Sequence, residues 1–128
     1  MKKIFLLLAL MLSPVMALAA GGGACGSLAK CEKAPVDLHN KESLQNGAKV
    51  FISYCLGCHS AKYLRYERMA QDLEIDPKLV EEYMMFTTDK IGDGMDPKTN
   101  KKDQAKWFGN APPDLSLETR LQSPDWVY

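Results

Sequence analysis

The chain has 128 residues, of which 46% are hydrophobic and 25% charged, and its 16 basic and 16 acidic side chains leave no net charge. It is too apolar for a disordered polyelectrolyte and long enough for one domain with a modest core. It also lacks the basic excess that a nucleic-acid surface requires, so no nucleic-acid partner is expected.

The first residues read as an address. Lys2 and Lys3 precede an unbroken apolar run from Ile4 to Leu12, and Ala17-Leu18-Ala19 follows in the small-x-small pattern that a signal peptidase reads. The run falls short of the roughly 20 apolar residues of a membrane-spanning helix. Residues 1–19 are therefore expected to be a cleaved signal peptide on an exported protein. Cleavage after Ala19 removes two lysines and no acid, leaving 14 basic against 16 acidic residues. That slight negative charge is compatible with a basic protein partner. No later segment has the length or apolarity of a membrane span, so the mature chain is expected to be soluble or peripheral.

Residues 20–42 form a leader whose stretch Gly21 to Lys33 is rich in small residues. Cys25 and Cys31 lie in it. In an oxidising compartment they fit a local disulfide, and free or intermolecularly paired thiols are the alternative. From Ser43, a plausible N-cap, Leu44, Ala48, Phe51, Ile52 and Cys55 recur at helical spacing. This helix runs into Cys55-Leu56-Gly57-Cys58-His59. A second helix is expected from about Ala61 to Leu73. A third starts at Asp76 as N-cap with Pro77 at the first position, and Leu79, Val80, Tyr83, Met84 and Phe86 supply its buried face. Ile91 to Asp103, rich in Gly, Asp, Lys, Asn and Pro, reads as a solvated loop. A helical turn over Gln104 to Phe108 follows and Gly109-Asn110 closes it, after which Pro112-Pro113 imposes extended backbone. No strand alternation stands out. The expected fold class is all-α, with a single domain over residues 43–128.

Ser123-Pro124-Asp125 is a good helix opening, and Trp126, Val127 and Tyr128 begin its apolar face. A single turn has no independent stability. The domain is therefore expected to be incomplete at its C-terminus.

The segment that carries chemistry is C-x-x-C-H, the attachment signature of c-type haem. Two intervening residues place the sulfurs of Cys55 and Cys58 at the two porphyrin vinyl groups, and His59 then lies beneath the iron, where imidazole is a good ligand. Its other ring nitrogen is left for an acceptor that fixes the ring. A thioredoxin-like dithiol would follow a strand, and here the pair follows a helix. Zinc needs four ligands, and Cys25 and Cys31 could complete the set only at wider spacing than usual. One haem c, covalently held, is the expected cofactor.

The sixth iron ligand decides the chemistry: a methionine favours electron transfer and an open position favours ligand binding. Met69 and Met84 fall on helical patterns and read as core fillers. Met95, in the Gly-Asp-rich loop, is the one methionine placed to swing onto the iron, or else a loop residue without a role. His39 could make a bis-histidine haem but reads as solvated. Phe51, Tyr54, Tyr63 and Tyr66 could wall a haem or form ordinary core. Arg120 could pair with a propionate or lie on the surface.

Several segments resemble the cytochrome c1 family of proteobacterial type. They are Ser43 to Phe51, Tyr54 to Ser60, Tyr63-x-x-Tyr66-x-Arg68, Ala111-Pro-Pro-Asp-Leu-Ser116 with Arg120, and Asp125 to Tyr128. The Pro-Pro-Asp-Leu-Ser segment is far more specific than the haem motif. The resemblance implies a cytochrome c-like haem domain, with Cys55 and Cys58 as thioether cysteines and His59 as proximal ligand. It further implies Pro112 and Pro113 as pocket lining, Arg120 near a propionate, and Tyr63 and Tyr66 beside the haem. It also implies an electron-transfer subunit of a ubiquinol:cytochrome c oxidoreductase on the periplasmic side of the inner membrane. Cytochrome b and an iron–sulfur protein would be partners in the complex, and a soluble cytochrome c the acceptor. The chain alone is expected to perform no catalysis. The family's axial methionine and membrane anchor lie beyond Tyr128, so membrane association would come through the complex. The rival expectation is a free-standing periplasmic monohaem cytochrome or a haem-based ligand-binding protein with an open sixth site.

Overall fold

The computed structural model describes Cys25 and residues 30–128. The expected signal peptide and most of the leader's first ten residues lie outside that range.

Helix α1 spans Lys41–Val50 and passes without a break into a π-helical turn, Phe51–Cys55. Strand β1 (Ala61–Arg65) leads into α2 (Tyr66–Leu73), and α3 follows at Pro77–Tyr83. Strand β2 is the pair Gly94–Met95. Helix α4 is Lys101–Phe108, and two single-turn helices follow, α5 (Glu118–Leu121) and α6 (Pro124–Val127). The fold is mostly helical with one small antiparallel ribbon, so the all-α expectation needs that correction.

Local chemistry explains most helix starts. The Asp76 carboxylate accepts the Lys78 amide proton at 2.9 Å, with Pro77 at the first helical position, as expected. Ser123 caps α6 by accepting from the Trp126 amide. Gly109, at φ 83°, ends α4 in a backbone region open to glycine. The expected cap at Ser43 is displaced: Asn40 caps α1, its side-chain oxygen accepting the Ser43 amide proton at 3.0 Å. Asn serves as well as Ser there, and the helix gains Lys41 and Glu42.

The expected helix over Ala61 to Leu73 is also corrected, because only its second half is helical. Ala61–Arg65 pairs with Gly94–Met95, Ala61 opposite Met95 and Arg65 opposite Gly94 with an irregular register between. Just beyond the strand, the amides of Tyr66 and Glu67 donate to the carbonyls of Asp93 and Ile91. Long-range backbone pairing thus overrides the helical pattern. Gly94 permits the close approach, since a Cβ there would run into the Lys62 carbonyl oxygen. The region expected to be loop therefore holds a strand and the first turn of α4.

The core sits between α1, α2, α3 and the ribbon. Ile52, Leu56, Ala61, Tyr66, Met69, Ala70, Val80 and Met95 are buried, with Tyr66, Leu56, Met95 and Val80 fully so. Each large apolar side chain removed from water contributes about 1.5–3 kcal/mol before entropy. Of the expected α3 face, Val80 is buried and Met84 half-buried, while Leu79, Tyr83 and Phe86 are exposed. Met95 is 0% exposed and packed in the core. It is held on a strand, so it is not the mobile loop methionine of the sequence reading. No described helix is long and apolar enough to cross a membrane.

Candidate functional site

The thiol-bearing turn is built by the end of the first helix. Winding from α to π within Phe51–Cys55 makes the Leu56 amide donate to the Phe51 carbonyl at 2.9 Å. Such single π turns concentrate at functional positions. The chain then tightens, and the amides of both Cys58 and His59 donate to the Cys55 carbonyl, at 3.0 and 2.8 Å. Ile52 and Leu56 point into the core while Cys55, Cys58 and His59 stay half-exposed on the other side. The two cysteines are free thiols.

His59 is oriented from a distance. Its Nδ1 lies 2.9 Å from the Pro113 carbonyl oxygen, 54 residues away in sequence. A carbonyl only accepts, so Nδ1 carries the proton and Nε2 keeps the free lone pair. This is the ring-fixing acceptor that the motif requires.

The Pro113 segment is in turn sewn to the strand that follows the motif. Asp114 is the knot. Its Oδ2 accepts from the Ser60 hydroxyl at 2.6 Å and from the Lys62 amide at 3.1 Å, and its Oδ1 accepts from the Ser116 amide at 2.9 Å. Burial by itself would raise the carboxyl's pKa. The bonds from Ser116, Ser60 and Lys62 outweigh it and hold the group well below the usual carboxylate range. Two more bonds complete the seam: the Leu115 amide donates to the Ser60 carbonyl at 2.7 Å, and the Tyr63 amide to the Ser116 hydroxyl at 3.2 Å.

A second set of bonds grips the turn from α4. Gln104 is 2% exposed, and its Nε2 donates to the Cys58 carbonyl at 3.0 Å and to the Thr99 hydroxyl at 2.8 Å. Thr99 donates onward to the Gly57 carbonyl at 3.1 Å. Sequence reasoning missed Asp114, Ser60, Thr99 and Gln104 as site residues. Asp114 stood within the quoted Pro-Pro-Asp segment without a role, and Gln104 carries no local signal at all.

The structure brings Cys55, Cys58, His59 and Pro113 together, with Pro112 next in chain. Tyr63 is 78% exposed on β1. Tyr66 is instead fully buried in the core, its hydroxyl paired with Thr87 at 3.1 Å. Burial pushes its phenol pKa up, partly offset by the Thr87 bond. Arg120 is exposed on α5, with no ion pair among the described residues. His39 is exposed in the turn before α1.

Cys25 and Cys31 form a disulfide, with Cα atoms 5.5 Å apart. That resolves the choice left open for this pair and removes two of the four thiolates that the zinc reading needs. Downstream of the disulfide, the Ala34 amide donates to Asp125 Oδ1 at 2.9 Å and ties the leader to α6. A cavity of about 810 Å³ lies there, lined by Cys31, Trp126 and their neighbours, away from the thiol turn.

The donor set fits haem c. It offers two unoxidised thiols separated by two residues, followed by an imidazole with its tautomer set and Nε2 uncommitted. Exposed aromatic side chains flank the turn, Tyr54 at 82% and Tyr63 at 78%.

Comparison with known proteins adds an independent line. A sequence profile described as the Cytochrome C1 family matches residues 31–128. The chain is 46% identical over 128 residues to the Cytochrome c1 of Allochromatium vinosum, covering 100% of this chain and 50% of that protein. It is 41% identical over 124 residues to a protein of Nitrosomonas europaea named Ammonia monooxygenase gamma subunit, covering 97% of this chain and 50% of that one. The chain thus spans about half the length of the curated relatives it matches.

Proposed function

The chain belongs to the cytochrome C1 family, and we propose that it carries one haem c on Cys55 and Cys58, with His59 as axial ligand. In this reading it passes electrons from an iron–sulfur protein to a soluble cytochrome c. It would do so beside cytochrome b in a ubiquinol:cytochrome c oxidoreductase, on the periplasmic side of the inner membrane after loss of residues 1–19. The family membership supports haem-based electron transfer.

The observation that carries the reading is the His59–Pro113 bond. It commits Nδ1 as a donor and leaves Nε2 as the one ring nitrogen able to bind metal, next to two reduced thiols. Bound there, haem c supplies a one-electron carrier whose chemistry needs no bond made or broken in a substrate. The Cys55 and Cys58 sulfurs tether the ring to a turn already fixed by the π-helical winding. Pro113 keeps the imidazole in one tautomer and orientation. Pro112 and Pro113, carried next to His59 by that bond, would offer rigid apolar surface to the ring. Arg120, exposed and unpaired among the described residues, is available to a propionate carboxylate. Tyr63, exposed on β1, would be available to the haem, whereas Tyr66 is buried in the core and bonded to Thr87. The motif and the family profile favour this reading over the monooxygenase name borne by the second relative.

An optical spectrum and intact mass of the chain matured in a periplasm with haem-attachment machinery test the proposal. The expected result is a haem c spectrum and the mass of one added haem, both lost in Cys55→Ser/Cys58→Ser. Absence of covalent haem after competent maturation overturns it.

A further inference from the structure

The peptide joining Cys58 to His59 is gripped from outside the motif. Its carbonyl accepts from Gln104 Nε2 at 3.0 Å, and the preceding carbonyl, Gly57, accepts from Thr99 at 3.1 Å. Gln104 lies 46 residues away in sequence and is 2% exposed. A buried primary amide is costly unless its protons are used. Here the two Nε2 bonds serve one purpose: one reaches the turn directly, and the other orients Thr99, whose own proton reaches the turn. The cap of α4 sets the lever. Asn100 accepts the Asp103 amide proton at 2.9 Å, which starts the helix just past Thr99 and aims Gln104 back at the motif.

His59 is thereby held at two independent points. Pro113 fixes the ring at Nδ1, and Gln104 fixes the peptide plane from which the ring hangs. A ring held only at Nδ1 could still tilt by rotation of its own backbone.

We propose that Gln104 is a positioning residue for the axial imidazole, acting with Thr99 through the Gly57 and Cys58 carbonyls. This rests on the haem reading above. Gln104→Met keeps side-chain length and approximate volume and removes both protons.

The test compares the haem-loaded full chain as wild type, Gln104→Met, Thr99→Val and Val80→Ala, the last a core truncation on α3 that leaves every hydrogen bond to the turn in place. The midpoint potential and the electron paramagnetic resonance g-values of the oxidised haem, which follow the imidazole plane, are read beside the melting temperature. Gln104→Met is expected to raise the potential, because a tilted imidazole donates less to the oxidised iron, and to shift the g-values. Thr99→Val is expected to do the same to a smaller extent. Val80→Ala is expected to melt earlier with neither change. If Gln104→Met does not mature, Thr99→Val decides. A haem-loaded Gln104→Met or, failing that, Thr99→Val with wild-type potential and g-values overturns this assignment alone. A wild-type chain without covalent haem overturns the functional reading and the assignment with it.

Discussion

The two sides of the segment from Phe51 to His59 are held by different physics. On the inner side Ile52 and Leu56, 5% and 1% exposed, are held by burial against α2, α3 and the ribbon. On the outer side Cys55, Cys58 and His59 are half-exposed, and directional bonds from Pro113 and Gln104 hold the turn. Burial is strong but indifferent to angle. Hydrogen bonds are individually weak but fix angles. A turn that presents two sulfurs and one nitrogen to a planar ligand needs the first for anchorage and the second for aim.

That contrast breaks most visibly on the inner side. Leu56→Ala is expected to destabilise the fold by about 2–5 kcal/mol, as large-to-small changes in packed cores do. Denaturant unfolding checks it. A loss near zero would mean that the apolar side does not anchor the turn.

The outer side is expected to show a smaller but pH-dependent effect. Asp114→Asn removes a carboxylate that accepts three bonds, and the expected cost at neutral pH is about 1–3 kcal/mol. The carboxyl's folded pKa is depressed, so its contribution is fully present above the unfolded value and is lost as pH falls through the folded one. Stability of the wild type should therefore decline from the ordinary carboxylate range downward. The amide of the variant cannot titrate, so the gap between the two proteins should narrow in acid. Melting temperatures across that window decide it, and a constant gap would mean that the seam does not depend on the charge.

A feature remote from both sides sharpens the comparison. Asp76→Ala removes the α3 cap and is expected to cost about 1 kcal/mol. Thermal unfolding should register that loss, while His59 ring resonances stay where they were. Movement of those resonances would mean that α3 reaches the outer side through the core.

Legibility in the sequence followed the same divide between near and far. Asp76-Pro77 announced α3 because a cap and its helix are neighbours in sequence. Ser123-Pro124 announced α6 for the same reason. The C-x-x-C-H turn was legible because its donors all lie between Cys55 and His59. The strand β1 was not: only Ala61 of its five residues is buried and the other four are exposed, so no alternation marks it. Its partner is two residues long and lies inside a stretch of loop-like composition. Met95 was misjudged along with that partner, since a methionine between Gly and Asp gives no hint of a core position.

What the sequence by itself determined was the local chemistry: the helix caps, the spacing of the thiols, and the imidazole placed directly after them. These depend on residues a few positions apart, whose relative placement the backbone geometry already dictates. Only the tertiary structure decided which imidazole nitrogen is free, that Cys25 and Cys31 are joined, and that Asp114 and Gln104 serve the turn. Those outcomes depend on partners brought together by folding, across 54 residues for Pro113 and 46 for Gln104. No periodicity encodes a bond between two loops, because each side is satisfied by water until burial elsewhere brings the two together.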